Sequence, residues 1–542
     1  MFNFDPVEDE FIACGKSGKL EYSAHRGRIG CGSNGTLVYE GRFESHPVAV
    51  KMIPKENFKG ITRTLIENMG EDIINEAKIL RKYAHNNVIR YYLLDHDNRH
   101  VYLALELCKG NLAECIELGK PEKLLSGEGR HITKRHLLNG ILHGLHFLHG
   151  ADIIHGDIKP QNILLQVNKS NQGSGIDKIK YNAVISDFGL SLIIDPGRAS
   201  KTVIDDLIGT DGWRPKEVVE KLEEFSKKNI DGSMSLEGNI DNLSLDKEKI
   251  KGTKHVDIFA FGCIIQYVMV EKKEEAGPVW YMHPFGDDKS RTMNIKRGVR
   301  VAYLSKNPSK NTELDELLAD MLISLCVDKD PQCRPDTREI TKHPFFWGPS
   351  KRYRFIQKVA NEVKPLPVKG DLRAMLNKKW EESHPTPYGE KIMSAVKYIA
   401  KYRNRKVDPN KHVLLDALLI NMRNIKQHYP DIKKDYADMD ILVNLGDGND
   451  DDFHRYFLQR IAQILPVVYT CYYKSQRNKI KRGAYKEYFN DKEESSLIEI
   501  RERIYWFTLN KIRYTLDDNS SGKVKDTRKR ARSRSHSGEY SK

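Results

Sequence analysis

Three rhythms of hydrophobic and polar positions follow one another along the chain. Behind a lead-in over residues 1–22, short apolar runs alternate with polar positions from about 25 to 99, as half-buried strands around a glycine-rich turn would require. Val48-Ala49-Val50 and Val101-Tyr102-Leu103-Ala104-Leu105 are the clearest strand segments. From about 111 to 347 helical spacing dominates, as in His136-Leu137-Leu138-Asn139-Gly140-Ile141-Leu142-His143-Gly144-Leu145. Two polar stretches interrupt it: a Gly/Ser/Asn loop over 168–177 and a charged insertion over about 221–254. Pro349-Ser350 marks a boundary, after which amphipathic helices resume to about Tyr473. Residues 476–542 are polar, with one helix expected around 495–510 and a basic tail whose composition predicts disorder.

Composition narrows the class. Of 542 residues, 39% are hydrophobic and 30% charged, ample for globular cores. The net charge of +14 suits anionic partners such as nucleotides or nucleic acid, and equally suits plain solubility. The most apolar run, 258–270, contains Gln266 and falls short of the about 18 residues a membrane span needs, so it reads as a buried helix. The opening residues lack the basic-then-apolar order of a secretory signal. The eight cysteines include no C-x-x-C pair, which argues against a zinc or disulfide framework and for reducing surroundings. The expectation is a soluble, cytoplasmic chain.

The first chemical constellation concerns phosphate. Gly30-Cys31-Gly32-Ser33-Asn34-Gly35 followed by Val38 is a glycine-rich loop, and dinucleotide sites share its spacing. Here a strand follows the glycines, not a helix, and leads to Lys51, whose ammonium can neutralise phosphate charge. Glu76, on the polar side of a helical stripe, is a carboxylate that could hold that lysine, or a plain solvated residue. Downstream stand His155-Gly156-Asp157-Ile158-Lys159-Pro160-Gln161-Asn162 and Ser186-Asp187-Phe188-Gly189. Phosphoryl transfer needs a carboxylate to orient the attacking hydroxyl, and oxygen ligands for Mg²⁺. Asp157 suits the first role, Asn162 and Asp187 the second, and Lys159 can stabilise charge on the transferred group.

In this order the motifs resemble the eukaryotic protein kinase family over residues 23–347, with an N-lobe over 23–108 and a C-lobe over 109–347. The resemblance implies a bilobal α+β fold, ATP and Mg²⁺ as cofactors, and Val38 and Ala49 at the nucleotide. It puts Leu105 at the gatekeeper position and Glu106 to Cys108 at the hinge that meets adenine. Residues 187–217 resemble an activation segment, with Ser200, Thr202 and Thr210 as candidate phosphorylation sites. Two positions depart from the pattern. Gly156 replaces the usual Arg before the catalytic Asp, removing a cation that reads phosphate, and the Ala-Pro-Glu motif is Pro215-Lys216-Glu217.

The second constellation lies in the helical region over 350–475, which on composition alone would read as a regulatory appendix. The run Leu414-Leu415-Asp416-Ala417-Leu418-Leu419-Ile420-Asn421-Met422-Arg423-Asn424-Ile425-Lys426-Gln427-His428 sets Asn424 and His428 four apart on one predicted helix, with Arg423 beside them. An acid/base histidine next to groups that hold a phosphate is what metal-independent RNA cleavage requires: the ribose 2′-OH attacks its own phosphodiester while protons are moved. Alone, His428 would read as a helix-surface histidine.

With Asp451-Asp452-Phe453-His454-Arg455-Tyr456-Phe457 and the insertion ending Lys178-Ile179-Lys180, the chain resembles the inositol-requiring enzyme 1 family over about residues 23–475. This family of kinase/endoribonucleases of the unfolded protein response is related to ribonuclease L. The resemblance implies an all-α kinase-extension nuclease domain over 350–475 with Tyr402, Arg423, Asn424 and His428 as its site. The first His of the family's pair is Gln427 here, and the segment from Tyr402 to Arg423 is longer. The family implies back-to-back homodimers favoured by ATP or ADP and autophosphorylation, cutting RNA stem-loops. It also implies a lumenal sensor and a membrane span, neither seen in this sequence; with them the location would be the cytosolic face of the endoplasmic reticulum. A conventional kinase with a helical extension and a nucleotide-sensing scaffold are the competing readings.

Overall fold

The computed structural model describes residues 11–23, 28–32, 35–55, 79, 84–117, 130–167, 181–193, 201–203, 209–230, 250–270, 282–304, 314–367, 370–383, 414–435, 445–459, 461–475, 485, 487–489 and 497–509. Contacts divide the chain into two compact units, residues 1–264 and 265–542.

The first unit opens with seven strands: β1 (Phe11–Cys14), β2 (Leu20–Ser23), β3 (Arg28–Cys31), β4 (Leu37–Phe43), β5 (His46–Pro54), β6 (Tyr91–His96) and β7 (His100–Glu106). They form one sheet in the order β1-β2-β4-β5-β7-β6, with β3 also on β4, every pairing antiparallel. Alternation decides its faces. On β5, Val48, Val50 and Met52 are buried, whereas Ala49 and Lys51 are only half-buried. The buried set packs with Leu20, Tyr102 and Ala104. Register pairs Lys51 with Val38 and Leu103, and Ala49 with Leu105, so the other face gathers these residues. A one-residue slip would exchange the two faces, which is why the apolar pattern fixes the register.

The segment read from sequence as a lead-in supplies β1 and β2. Their turn is held by Asp95 on β6, which accepts from the Lys16 and Ser17 N–H groups at 3.0 Å each.

Next come α1 (Leu112–Glu117), α2 (Arg130–Gly150), β8 (Ile153–Ile154), β9 (Ile163–Val167), β10 (Tyr181–Ile185), β11 (Leu192–Ile193), β12 (Lys201–Val203), α3 (Lys216–Ile230), β13 (Ile250–Gly252) and α4 (Lys254–Met269). α2 buries Leu137, Leu138, Ile141, Leu142, Leu145 and Leu148 completely. Its Gly144 lets the Asn87 carbonyl approach: a Cβ there would stand 2.7 Å from that oxygen. The insertion read over 221–254 is structured at both ends, because α3 runs into it and β13 pairs with β12. The loop read over 168–177 lies outside the described residues.

The second unit carries α5 (Arg291–Arg297), α6 (Leu314–Cys326), α7 (Thr337–Thr341), α8 (Pro349–Val363), α9 (Asp371–Ser383), α10 (Leu415–Gln427), α11 (Tyr429–Asp435), α12 (Asp450–Phe453) and α13 (Ile464–Ser475). Pro349 opens α8 at the first helical position, where a missing N–H loses nothing. Half-buried Arg373 of α9 pairs with buried Asp416 of α10, Nε to Oδ2 at 2.7 Å. The extension read as ending at 475 continues further. Tyr485, Tyr488 and Phe489 are buried among Phe355, Tyr469 and Tyr472. A helix over 497–509 follows, close to the expected span. Its Arg501 donates to the Cys333 and Arg334 carbonyls and pairs with Glu339 at 3.0 Å. Among the described residues no helix is long and apolar enough to cross a membrane.

Candidate functional site

The first site forms where β5, the loop after β8 and the turn after β10 converge. Lys51 Nζ meets Asp187 Oδ1 at 2.8 Å. That ammonium holds the Asp187 carboxyl below the usual carboxylate range, against the upward push of burial. Asp187 takes φ +67°, a left-handed backbone rare outside glycine, two residues past the end of β10.

Asp157 is almost fully buried, and three neighbours hold its carboxylate. Lys159 Nζ lies 2.7 Å from Oδ2, Asn162 Nδ2 donates to Oδ2 at 3.0 Å, and the Thr210 hydroxyl donates to Oδ1 at 2.7 Å. Lys159 in turn donates to Thr210 Oγ1 at 2.6 Å. Thr210, read from sequence as a candidate phosphorylation site, is therefore tied to both Asp157 and Lys159. Nothing in its local sequence signals this, because it lies 53 residues from Asp157. Ser200 and Glu76 lie outside the described residues, and Thr202 sits on β12.

Asn162 spends its amide N–H groups on Asp157, which leaves its Oδ1 as an acceptor. That oxygen and the half-exposed Asp187 carboxylate are hard oxygen donors, the set that fits Mg²⁺. Beneath them Asp257, fully buried, accepts from the His155 and Gly156 N–H groups and His149 Nε2, each at 2.9 Å. Burial pushes the Asp257 carboxyl up, but the His149 hydrogen bond and charge, together with the His155 charge and the Gly156 N–H, hold it below the usual range. Gly156 takes φ +82°, and a Cβ there would stand 2.8 Å from the Leu190 carbonyl oxygen. The departure from Arg is thus matched by a backbone that suits glycine.

The face of the sheet that carries Lys51 is built from the register. Gly30 pairs with Val38, Val38 with Lys51, and Ala49 with Leu105, a nearly buried residue at the end of β7. Gly32 N–H donates to the Thr36 carbonyl at 2.9 Å, and Gly35 turns at φ +68°. Just past β7, Gln166 donates to Glu106 at 2.7 Å, and burial pushes the Cys108 thiol up to about 12, aided by the Glu106 charge.

The second site lies on α8 and α10. Arg423, half-buried, donates from Nε to Asn361 Oδ1 at 2.6 Å and from Nη1 to Asn424 Oδ1 at 2.9 Å. Asn424 is only 9% exposed, and its Nδ2 has no hydrogen-bond partner among the described residues. α10 ends at Gln427. His428 caps it with φ −105° and its N–H on the Asn424 carbonyl at 3.0 Å. Its ring is 48% exposed and stands 3.9 Å from Asp431. So Arg423 and Asn424 are joined, while His428 follows one turn later with its ring in solvent and Asn424 inside. Tyr402 lies outside the described residues. Asn361 was not legible in the sequence, where it stands 62 residues from Arg423 with no motif around it.

Comparison with known proteins fits this division. The protein kinase domain model matches residues 23–232, and the ribonuclease 2-5A model matches residues 352–489. The serine/threonine-protein kinase/endoribonuclease ire-1 of Caenorhabditis elegans is 30% identical over 92% of this chain and 43% of its own length. The sensor for unfolded proteins in the ER ire1 of Schizosaccharomyces pombe is 31% identical over 81% of this chain and 36% of its own. The serine/threonine-protein kinase/endoribonuclease IRE2 of Homo sapiens is 29% identical over 85% and 42%. The chain thus spans less than half the length of these relatives. With both domains in this order and similarity across most of its length, the chain belongs to the inositol-requiring enzyme 1 family.

Proposed function

We propose that this chain is a bifunctional enzyme, an ATP-dependent serine/threonine kinase joined to a metal-independent endoribonuclease. The observation that supports it most is the coexistence of two separate sets of chemical groups within the two matched domains: Lys51, Asp157, Lys159, Asn162 and Asp187 in one, Arg423, Asn424 and His428 in the other.

In the kinase half, Asp157 orients the hydroxyl that attacks the γ-phosphate and accepts its proton, while Lys159 offsets charge on the transferred group. Lys51 meets the phosphates, and Leu105, Glu106 and Cys108 border the adenine. Asn162 and Asp187 would hold Mg²⁺, which when bound neutralises phosphate charge. In the nuclease half, Arg423 holds the scissile phosphate and the exposed imidazole of His428 moves a proton as the 2′-OH attacks phosphorus, the P–O5′ bond breaks and the 5′-oxygen leaves as a hydroxyl. Tyr402 is the remaining family position. The proposed substrates are RNA stem-loops, and the proposed active form is a homodimer favoured by nucleotide and autophosphorylation, with a role in sensing unfolded protein.

The test is stem-loop cleavage across protein concentration, with the product ends analysed by mass. The proposal expects 2′,3′-cyclic phosphate ends and a steep concentration dependence. Cleavage should be lost on His428→Ala and kept on Asp157→Ala, which in turn loses autophosphorylation. Cleavage by His428→Ala at the wild-type rate would sink the nuclease assignment, leaving a kinase with a helical extension.

A further inference from the structure

We infer that Asn361 on α8 is a positioning residue for RNA cleavage, fixing the Arg423 guanidinium in the orientation in which it meets the substrate phosphate. The inference rests on the nuclease reading of α10.

An arginine on a helix edge has several rotatable bonds, and rotamer entropy opposes any single pose. Here two acceptors from different helices restrain it. Asn361 Oδ1 takes Nε–H at 2.6 Å from α8, and Asn424 Oδ1 takes an Nη1 hydrogen at 2.9 Å from α10. The spacing of the helices is fixed next to this grip, because the buried Tyr353 hydroxyl of α8 donates to the Met422 carbonyl, one residue before Arg423, at 3.1 Å. The bonds to Nε and Nη1 leave Nη2 with no bond among the described residues. That nitrogen is the part of the fork left for a phosphate oxygen.

Both acceptors are neutral amides. They hold the guanidinium without cancelling its charge, which a carboxylate would do. An anion-binding arginine restrained by neutral oxygens keeps its full attraction for phosphate and gains a fixed direction, the combination that positioning requires. Asn361 is itself exposed, so burial of its side chain offers no competing reason for its place.

The experiment compares kcat and KM for stem-loop cleavage by wild type, Asn361→Ala and Asn361→Asp at saturating nucleotide. Autophosphorylation and the thermal midpoint are recorded alongside. Asn361→Ala should lower kcat about 10- to 100-fold, with both controls unchanged. Asn361→Asp restores the acceptor and should recover most of kcat, while its added charge raises KM. Wild-type kcat in Asn361→Ala, or no recovery in Asn361→Asp, would overturn the role of Asn361 alone. So would a fall in thermal midpoint that the Asp variant does not repair. A wild-type chain that cuts no RNA would overturn the nuclease reading, and this inference with it.

Discussion

A single backbone angle governs position 156. At φ +82° a side chain is strained by about 1–3 kcal/mol, before counting the 2.8 Å approach of its Cβ to the Leu190 oxygen. Gly156→Arg is therefore expected to slow autophosphorylation instead of restoring a phosphate-reading cation, as transfer of labelled phosphate from ATP onto the chain would show. Thr210 offers a second residue-scale test. Its hydroxyl bonds the Asp157 carboxylate, and a hydrogen bond to a charged group contributes about 1.5–3 kcal/mol. Thr210→Ala should slow autophosphorylation about 10- to 100-fold, and Thr210→Glu should do no better. A phosphorylation site would respond oppositely, with the acidic variant active. Asp257 sets a pH dependence. Its carboxyl titrates lower in the folded chain, so its stabilisation is present above the ordinary value and lost as pH falls through the folded one. Below about pH 4 the thermal midpoint should fall more steeply in wild type than in Asp257→Asn, and the two curves should converge in acid.

Among elements, the placement of α10 depends on a buried charge pair. Arg373 and Asp416 are 13% and 1% exposed, so removing one partner leaves the other charge buried and unpaired, at about 3–5 kcal/mol. Arg373→Met should lower the denaturation midpoint and RNA cleavage together. Arg373→Met with Asp416→Leu should regain much of the stability, because an apolar pair removes both desolvation penalties. A double variant no more stable than the single one would show that the pair itself, and not the orphaned carboxylate, matters. The sheet makes the contrasting case. Period-two alternation on β5 sends Val48, Val50 and Met52 inward and leaves Ala49 and Lys51 on the opposite face. Short-range pattern carried that assignment without help from distant residues.

At the scale of the whole molecule, the second unit is completed by residues that composition marks as a polar extension. Tyr485, Tyr488, Phe489 and Tyr505 are buried, and Arg501 is locked to Glu339 and two carbonyls. A chain ending at 475 should expose the aromatic cluster around Phe355 and Tyr469, aggregate on expression and lose RNA cleavage. A chain ending at 509 should retain it. Soluble expression and stem-loop cleavage of the two truncations decide this. The aromatic residues are spread thinly among lysines and glutamates, so window composition hides a core that exists only when α8, α13 and the 485–509 region come together.

Sequence alone determined what depends on neighbours a few residues apart. It placed β5 and β7, helix α2, the order of Gly30, Lys51, Asp157, Asn162 and Asp187 along the chain, and the helix carrying Arg423 and Asn424. Alternation, helical period and motif spacing are local properties, and local chemistry writes them directly into the chain. Only the tertiary structure decided the rest: the β1–β2 hairpin held by Asp95, Thr210 on Asp157, Asn361 on Arg423, and Arg501 closing the second unit. Each of these is a bond between side chain and partner more than fifty residues apart, made by a residue type common on any surface. No periodicity marks such a partner, because its identity is set by where the fold brings it.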